Sequence, residues 1–338
     1  MYRPGPRNLI TDVPGFTVGH ATDERVKSGV TVLACARDWP AGVDVRGGGP
    51  GTRETEVLAP ENLVGRAHAV VLAGGSVFGL AAADGVAAAL SARGIGLTLR
   101  PGSPAIPIVP SAVLHDLDNG GDKAWGLEPP YRHLGAIALL AAGPDFALGS
   151  VGAGRGALAG LAKGGIGSAS IDLGGGLVVG ALVAVNSVGS ALMSDGVTYW
   201  AWPFELDDEF GGSKPPGAQA DMGNPAPDEA RMLAQNRLHS GANTTLGVVA
   251  CSAELATAEC TRVAIMAQDG IARAVRPAHT LLDGDTVFAL ASGTVAQGEG
   301  LQRAIQVSRI GSAAADCMAR AIARAVYRSR APDTKVFR

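Results

Sequence analysis

Gly241-Ala242-Asn243-Thr244-Thr245-Leu246-Gly247-Val248-Val249-Ala250 is the stretch that decides how this chain is read. Small residues approach two threonines, and the apolar run that follows has the length and composition of a buried strand. A threonine hydroxyl is a weak nucleophile near neutral pH, but the free α-amine of the same residue can serve as its base. That amine exists only after the peptide bond before the threonine is broken. The arrangement predicts self-cleavage at Asn243-Thr244, with the freed Thr244 as catalyst. By pattern alone, the same residues also describe a polar edge entering a core strand. The chemistry therefore needs support from elsewhere in the chain.

The rest of the 338 residues supply ample core: 47% are apolar and only 17% charged, which excludes a disordered chain. Glycine is abundant, at 48 residues, and aromatics are only 4%. Small residues let layers approach closely and suit a surface buried in an oligomer. A net charge of -3 gives no reason to expect nucleic acid or an anionic membrane as partner. Met1–Pro6 has no apolar secretory region, and Leu173–Val185 is glycine-broken and too short to span a bilayer. Cys35, Cys251, Cys260 and Cys317 form no CxxC pair and no metal spacing with histidine. They read as buried free thiols of a cytoplasmic protein.

Along the chain, Thr31–Ala36, Val43–Val45 and Ala69–Ala73 read as strands, and Gly74-Gly75-Ser76 leads into a helix ending near Ala92. This glycine turn lacks both GK[ST] and GxGxxG, so it is no phosphate loop. Gly75 or Ser76 would cap the helix, whose start is expected to offer amides to a substrate carboxylate. Gly135–Ala142 reads as helical, Gly149–Gly167 as a glycine-rich loop, and Ile171–Val185 as a strand pair about Gly174-Gly175-Gly176. Residues 205–228 read as an exposed, soluble linker, with Glu205–Glu209 keeping it in water. After the strand Leu246–Cys251, a helix is expected from Ser252 or Ala253 to about Ala267, and another over Ser308–Tyr327. Ala331–Arg338 reads as a loose basic tail.

Thr244-Thr245-Leu246-Gly247-Val248, taken with His279-Thr280 and Asp283-Gly284-Asp285-Thr286-Val287-Phe288-Ala289, resembles the self-cleaving amidohydrolases of the DmpA aminopeptidase and nylon-oligomer hydrolase family. Ala73–Leu80, Gly152–Arg155 and Val185–Gly189 look like that family too, so the likeness runs from about Val13 to Val326. It implies a four-layer αββα sandwich and a single catalytic domain over 1–338. Self-cleavage would divide that domain into a large fragment ending at Asn243 and a small one starting at Thr244. Homo-oligomers, commonly tetramers of the processed unit, are implied as well.

Roles carry over residue by residue. Thr244 matches the nucleophile, with Thr245 the competing choice. Asn186 matches an amide donor to the developing oxyanion, a contribution worth about 3 kcal/mol when well placed. Lys163 matches a catalytic lysine, although its local spacing departs from the family's; a nearby cation would favour the neutral amine of Thr244. Asp283 and Asp285 flank one glycine, so in extended chain their side chains point the same way and are expected to face Thr244. Gly75, Ser76 and Arg155 are weaker substrate-binding candidates, Arg155 being equally suited to bracing its glycine loop. His279 reads as structural.

The expected activity is hydrolysis of linear amides, 6-aminohexanoate oligomers among them, through an acyl-Thr244 ester, without metal or organic cofactor. An aminopeptidase acting on short or β-amino peptides is the close alternative. An acyl transferase like ornithine acetyltransferase is the more distant one.

Overall fold

The computed structural model describes residues 2–215 and 243–330. The tail Ala331–Arg338 and the later part of the expected linker lie outside the described residues.

Two sheets share one bent strand. The first holds β8 (Gly165–Asp172), β9 (Val178–Asn186), β10 (Thr244–Ala253) and β11 (Thr286–Val295), in that order. It closes on the second half of β2 (Ser28–Val45), whose Ala41–Val45 pair with β11. The first half of β2 belongs to the other sheet, between β1 (Phe16–Asp23) and β4 (Arg66–Ala73). That sheet ends in the short strands β5 (Ser111–Val113) and β3 (Gly51–Arg53). The β2–β4 register slips between Ala34 and Trp39, where β2 turns from one sheet into the other.

Between the sheets lies a core to which Leu33, Val70 and Leu72 contribute from one side and Leu182, Leu246, Val248 and Phe288 from the other. The outer face of the first sheet is covered by α3 (Thr257–Ala274) and α4 (Gly300–Arg330). The outer face of the second is covered by α1 (Ala82–Ser91) and α2 (Tyr131–Leu140). This is the expected αββα sandwich. All ten residues of β10 are buried. A strand covered on both faces has no polar side, which is why its sequence reads as one apolar run.

Several boundaries differ from the sequence reading, each for a physical reason. Ser252 and Ala253 lie in β10, not in a helix. The Ser252 hydroxyl donates to Gly176 O at 2.8 Å and accepts the Val178 N–H at 2.9 Å, holding the strand. Helix α3 starts later, where the Glu259 carboxylate accepts the Ala256 N–H at 2.8 Å. Helix α4 starts eight residues before Ser308, in a turn where Leu301 and Ile305 face solvent and leave no core pattern to read. The glycine-rich 149–167 stretch contains a small hairpin, β6 (Leu158–Ala159) with β7 (Ala162–Lys163).

The largest correction concerns Glu205–Glu209, which does not keep a linker soluble. Glu209 is buried beneath α4 and accepts from Arg320 Nε at 2.5 Å and from Asn8 Nδ2 at 2.6 Å. Glu205 accepts the N–H of Phe210 at 2.7 Å and of Gly212 at 3.0 Å, and Phe210 is only 2% exposed. A run of acids reads as solvated in the sequence, but two arginines on a distant helix supply the counter-charge of Glu209.

Candidate active site

Thr244 opens β10 and is 1% exposed. Its backbone pairs antiparallel with Asn186 at the end of β9. One residue earlier, Asn243 makes a parallel bridge to Asp283, just before β11. The Gly284 N–H donates to Asn243 O at 2.9 Å, and the Thr244 hydroxyl bonds to the same carbonyl. Strand alternation puts the Thr244 side chain on the face of Leu246 and Val248, between the sheets. Gly284 lies against it: a methyl there would sit 2.8 Å from Thr244 Oγ1 and 2.8 Å from Gly49 O. The Gly47-Gly48-Gly49 run is bonded to this turn through backbone alone. Gly49 N–H reaches Asp283 O at 2.8 Å and Gly48 N–H reaches Thr280 O at 3.2 Å.

The two carboxylates lie together, as their spacing predicts, and both are 1% exposed. Contrary to the expectation that both face Thr244, the hydrogen bonds described for them run elsewhere, and only one, at Asp285, comes from a residue next to it, Thr245. Asp285 Oδ1 accepts the Thr245 N–H at 2.7 Å, and Oδ2 accepts His279 Nδ1 at 2.8 Å and the His279 N–H at 3.1 Å. Asp283 Oδ1 accepts the Val188 N–H at 3.0 Å, and Oδ2 accepts the Thr280 hydroxyl at 2.6 Å. Burial first, then the charge of Asp285, push the Asp283 carboxyl up to about 6. His279 is held in the left-handed region at φ 55. Burial opposes its protonation, but the Asp285 hydrogen bond and charge prevail and raise its pKa. It is the brace of Asp285.

Asn186 is 3% exposed and its amide is oriented from two sides. Its Oδ1 accepts the Leu158 N–H at 2.9 Å and its Nδ2 donates to His115 O at 3.0 Å. The first of these ties the β6–β7 hairpin, and with it Lys163, to the end of β9. Lys163 itself is exposed. Beside the site lies a cavity of about 460 Å³ lined by Pro50, Thr52, Ser76, Leu80, Val113 and His115 among others. Pro50 joins the two, since its Cα stands 3.2 Å from where a Gly284 methyl would be.

The weaker candidates divide. Ser76 lines the cavity, but the glycine turn does not offer the expected amides. Gly75 N–H donates to Asp116 Oδ1 at 2.7 Å and Ser76 N–H to Leu114 O at 2.9 Å. The element after them is a short 3-10 helix, Ser76–Ala81, and its cap Gly75 makes no side-chain hydrogen bond. Arg155 braces: it grips Glu24 with Nε at 2.9 Å and a terminal nitrogen at 2.6 Å. Sequence reasoning gave Thr280, Gly284 and Val188 no role beyond their place in the family-like motifs, and it did not single out His115. The Gly47–Gly49 run was the one available signal, since three successive glycines mark a backbone that something else must touch closely. Among the described residues, no group of three or more His, Cys, Asp or Glu is placed to hold a metal ion.

A profile of the family described as Peptidase family S58 matches residues 8–335. The chain is 43% identical, over 96% of its length and 94% of the relative's, to an uncharacterized aminopeptidase of Mycobacterium bovis. It is 28% identical, over 86% of its length and 77% of the relative's, to the 6-aminohexanoate-oligomer endohydrolase of Kocuria sp.. It superposes on a Burkholderia sp. beta-aminopeptidase with a TM-score of 0.69 and 25% identity, covering 96% of this chain and 88% of that one. The L-aminopeptidase D-Ala-esterase/amidase from Ochrobactrum anthropi, described as a variant of the Ntn hydrolase fold, gives 0.68 at 22% identity over 96% and 87% of the two chains, a likeness of fold.

Proposed function

The chain belongs to peptidase family S58, whose members hydrolyse amide bonds, and we propose that it cleaves itself at Asn243–Thr244 and then acts as an N-terminal-threonine aminopeptidase on short peptides. The observation that carries this reading is the shared acceptor at the junction. The Asn243 carbonyl is held by Gly284 N–H while the Thr244 hydroxyl lies on it, with Asn186 opposite.

In turnover, Thr244 Oγ1 attacks the substrate carbonyl carbon and its proton passes to the freed Thr244 amine. Asn186 donates to the oxyanion. The leaving amine takes a proton, an ester to Thr244 remains, and water releases the acid. Asp283 and Asp285, one residue removed, hold the new ammonium close to the site between proton transfers. Lys163, carried on the hairpin fixed by Asn186, disfavours that ammonium and so favours the base form.

Denaturing electrophoresis with N-terminal sequencing tests the reading. The expected result is a small fragment beginning Thr-Thr-Leu-Gly, and none in Thr244→Ala. A fragment beginning at Thr245, or active enzyme that stays uncut, would sink it. A second reading, internal cleavage of 6-aminohexanoate oligomers, is favoured by the 28% identity to the Kocuria endohydrolase. The aminopeptidase reading takes precedence because it rests on a relative at 43%. Products from amino-acid p-nitroanilides and from 6-aminohexanoate oligomers separate the two: stepwise release of single residues supports the first, mid-chain fragments the second.

A further inference from the structure

We infer that the Gly284 backbone N–H is the oxyanion donor of the self-cleavage step, and that this position carries glycine so that the Thr244 hydroxyl can reach the scissile carbonyl. The inference rests on the self-cleavage proposed above. The N–H lies 2.9 Å from Asn243 O, the oxygen that takes the negative charge when Thr244 attacks. The peptide that carries it is fixed from both sides. Asp283 O accepts from Gly49 N–H at 2.8 Å, and Asp285 O accepts from Arg46 N–H at 2.9 Å and Gly47 N–H at 3.1 Å. The Thr286 hydroxyl donates to Gly284 O at 3.0 Å. A donor held in place before the charge forms needs no rearrangement as it forms, which is the condition for strong oxyanion stabilisation.

The step balances without a co-reactant other than water. Thr244 Oγ1 bonds to the Asn243 carbonyl carbon, and the carbonyl electron pair moves onto the oxygen held by Gly284 N–H. Collapse breaks the bond to Thr244 N, which takes the proton given up by the hydroxyl. An Asn243–Thr244 ester results. Water then adds to it, leaving the Asn243 carboxylate and the Thr244 hydroxyl.

The same hydrogen bond also continues the β10–β11 register, since Asn243 opposite Asp283 keeps the offset of Leu246 opposite Thr286. A ladder bond and an oxyanion donor differ in what their loss does. The test replaces the Gly284 N–H by an ester oxygen, using glycolic acid at that position in the full chain, and follows the small fragment over time. The control is the same amide-to-ester change at Val287, inside β11. Self-cleavage is expected to slow about 100-fold at 284, and to change less than about threefold at 287. Gly284→Ala, assayed as soluble protein with a wild-type thermal midpoint, is expected to cut at least 10-fold more slowly, because its methyl meets Thr244 Oγ1. Equal effects at 284 and 287, or wild-type cutting by a folded Gly284→Ala, would overturn the inference and leave self-cleavage standing. A wild-type chain that never cuts would overturn both.

Discussion

At the residue scale the site is a set of hydrogen bonds about one peptide, and its pH response follows from them. The Asp283 carboxyl is raised to about 6 by burial and by Asp285, while the Thr280 hydroxyl, at 2.6 Å, pulls it down. A raised carboxyl favours the fold when neutral. That contribution is complete below the ordinary carboxylate range and is lost as pH rises through about 6. The role proposed for it, holding a Thr244 ammonium, requires the anion, so on that reading kcat/KM should rise through the same pH. Removing the hydroxyl removes a donor to the anion, worth about one pH unit. Thr280→Val should therefore move the acid limb of the kcat/KM profile about one unit to higher pH. A limb that stays in place would separate Asp283 from the titration. His279→Asn tests the brace. Loss of the ring that bonds Asp285 Oδ2 at 2.8 Å should lower kcat more than it raises KM. An equal rise in KM alone would assign His279 to substrate binding. Thr244, Asn186 and the Asp283/Asp285 pair can be proposed from the sequence because a nucleophile, an amide and two acids carry their chemistry in their names, and the fold brings them to one end of β9, β10 and β11. The sequence shows His279 only as structural and Gly284 only as part of a motif, because a brace and a backbone donor act through partners the sequence does not show.

At the element scale, backbone contact between sheet and helix is what the glycines secure. A methyl on Gly167 in β8 would lie 1.9 Å from Ala321 O and 2.8 Å from Ala325 N of α4. Helix and strand therefore touch through main chain, and α4 is alanine-rich for the same reason. Gly167→Ala should cost roughly 1–3 kcal/mol by forcing these layers apart, read as a lower denaturant midpoint with an unchanged slope. No loss would mean that α4 shifts freely. β10 was legible because it is covered on both faces and nothing polar interrupts its apolar run, whereas the start of β8, equally buried, reads as part of a glycine loop because Gly165, Gly167, Ser168 and Ser170 break the pattern. The bend in β2 was not legible either. It depends on which strand lies alongside, with β4 as far as Pro40 and β11 from Ala41. The exposed first turns of α4 were missed for a related reason, since helical periodicity appears only where one side meets a core.

At the scale of the whole molecule, the proposed self-cleavage would turn one chain into two, and a buried ionic cluster spans the two parts. Glu209 lies upstream of Asn243, whereas Arg320 and Arg324 lie downstream of Thr244 on α4. Arg320 is 1% exposed and bonds Glu209 at 2.5 Å, Ser170 O at 2.8 Å and Asn8 Oδ1 at 2.8 Å. Arg324 adds a bond to Asn8 O at 2.5 Å and an ion pair to Glu209 at 3.4 Å. The cluster thus joins the N-terminal arm, the segment before the proposed cut and the helix after it. Burying these charges is costly, and removing one partner leaves the others uncompensated. Glu209→Gln should destabilise the fold by on the order of 3 kcal/mol. The measurement belongs in a Thr244→Ala background, where the chain stays whole and fragment dissociation does not enter. Glu24→Gln, which breaks the solvent-exposed grip on Arg155, should cost only about 0.5 kcal/mol under the same conditions. Equal losses would mean that the buried cluster stabilises no more than a surface pair. In the processed enzyme, Glu209→Gln should further let the small fragment separate at lower denaturant than in the parent, because α4 then loses its charged tie to the large one.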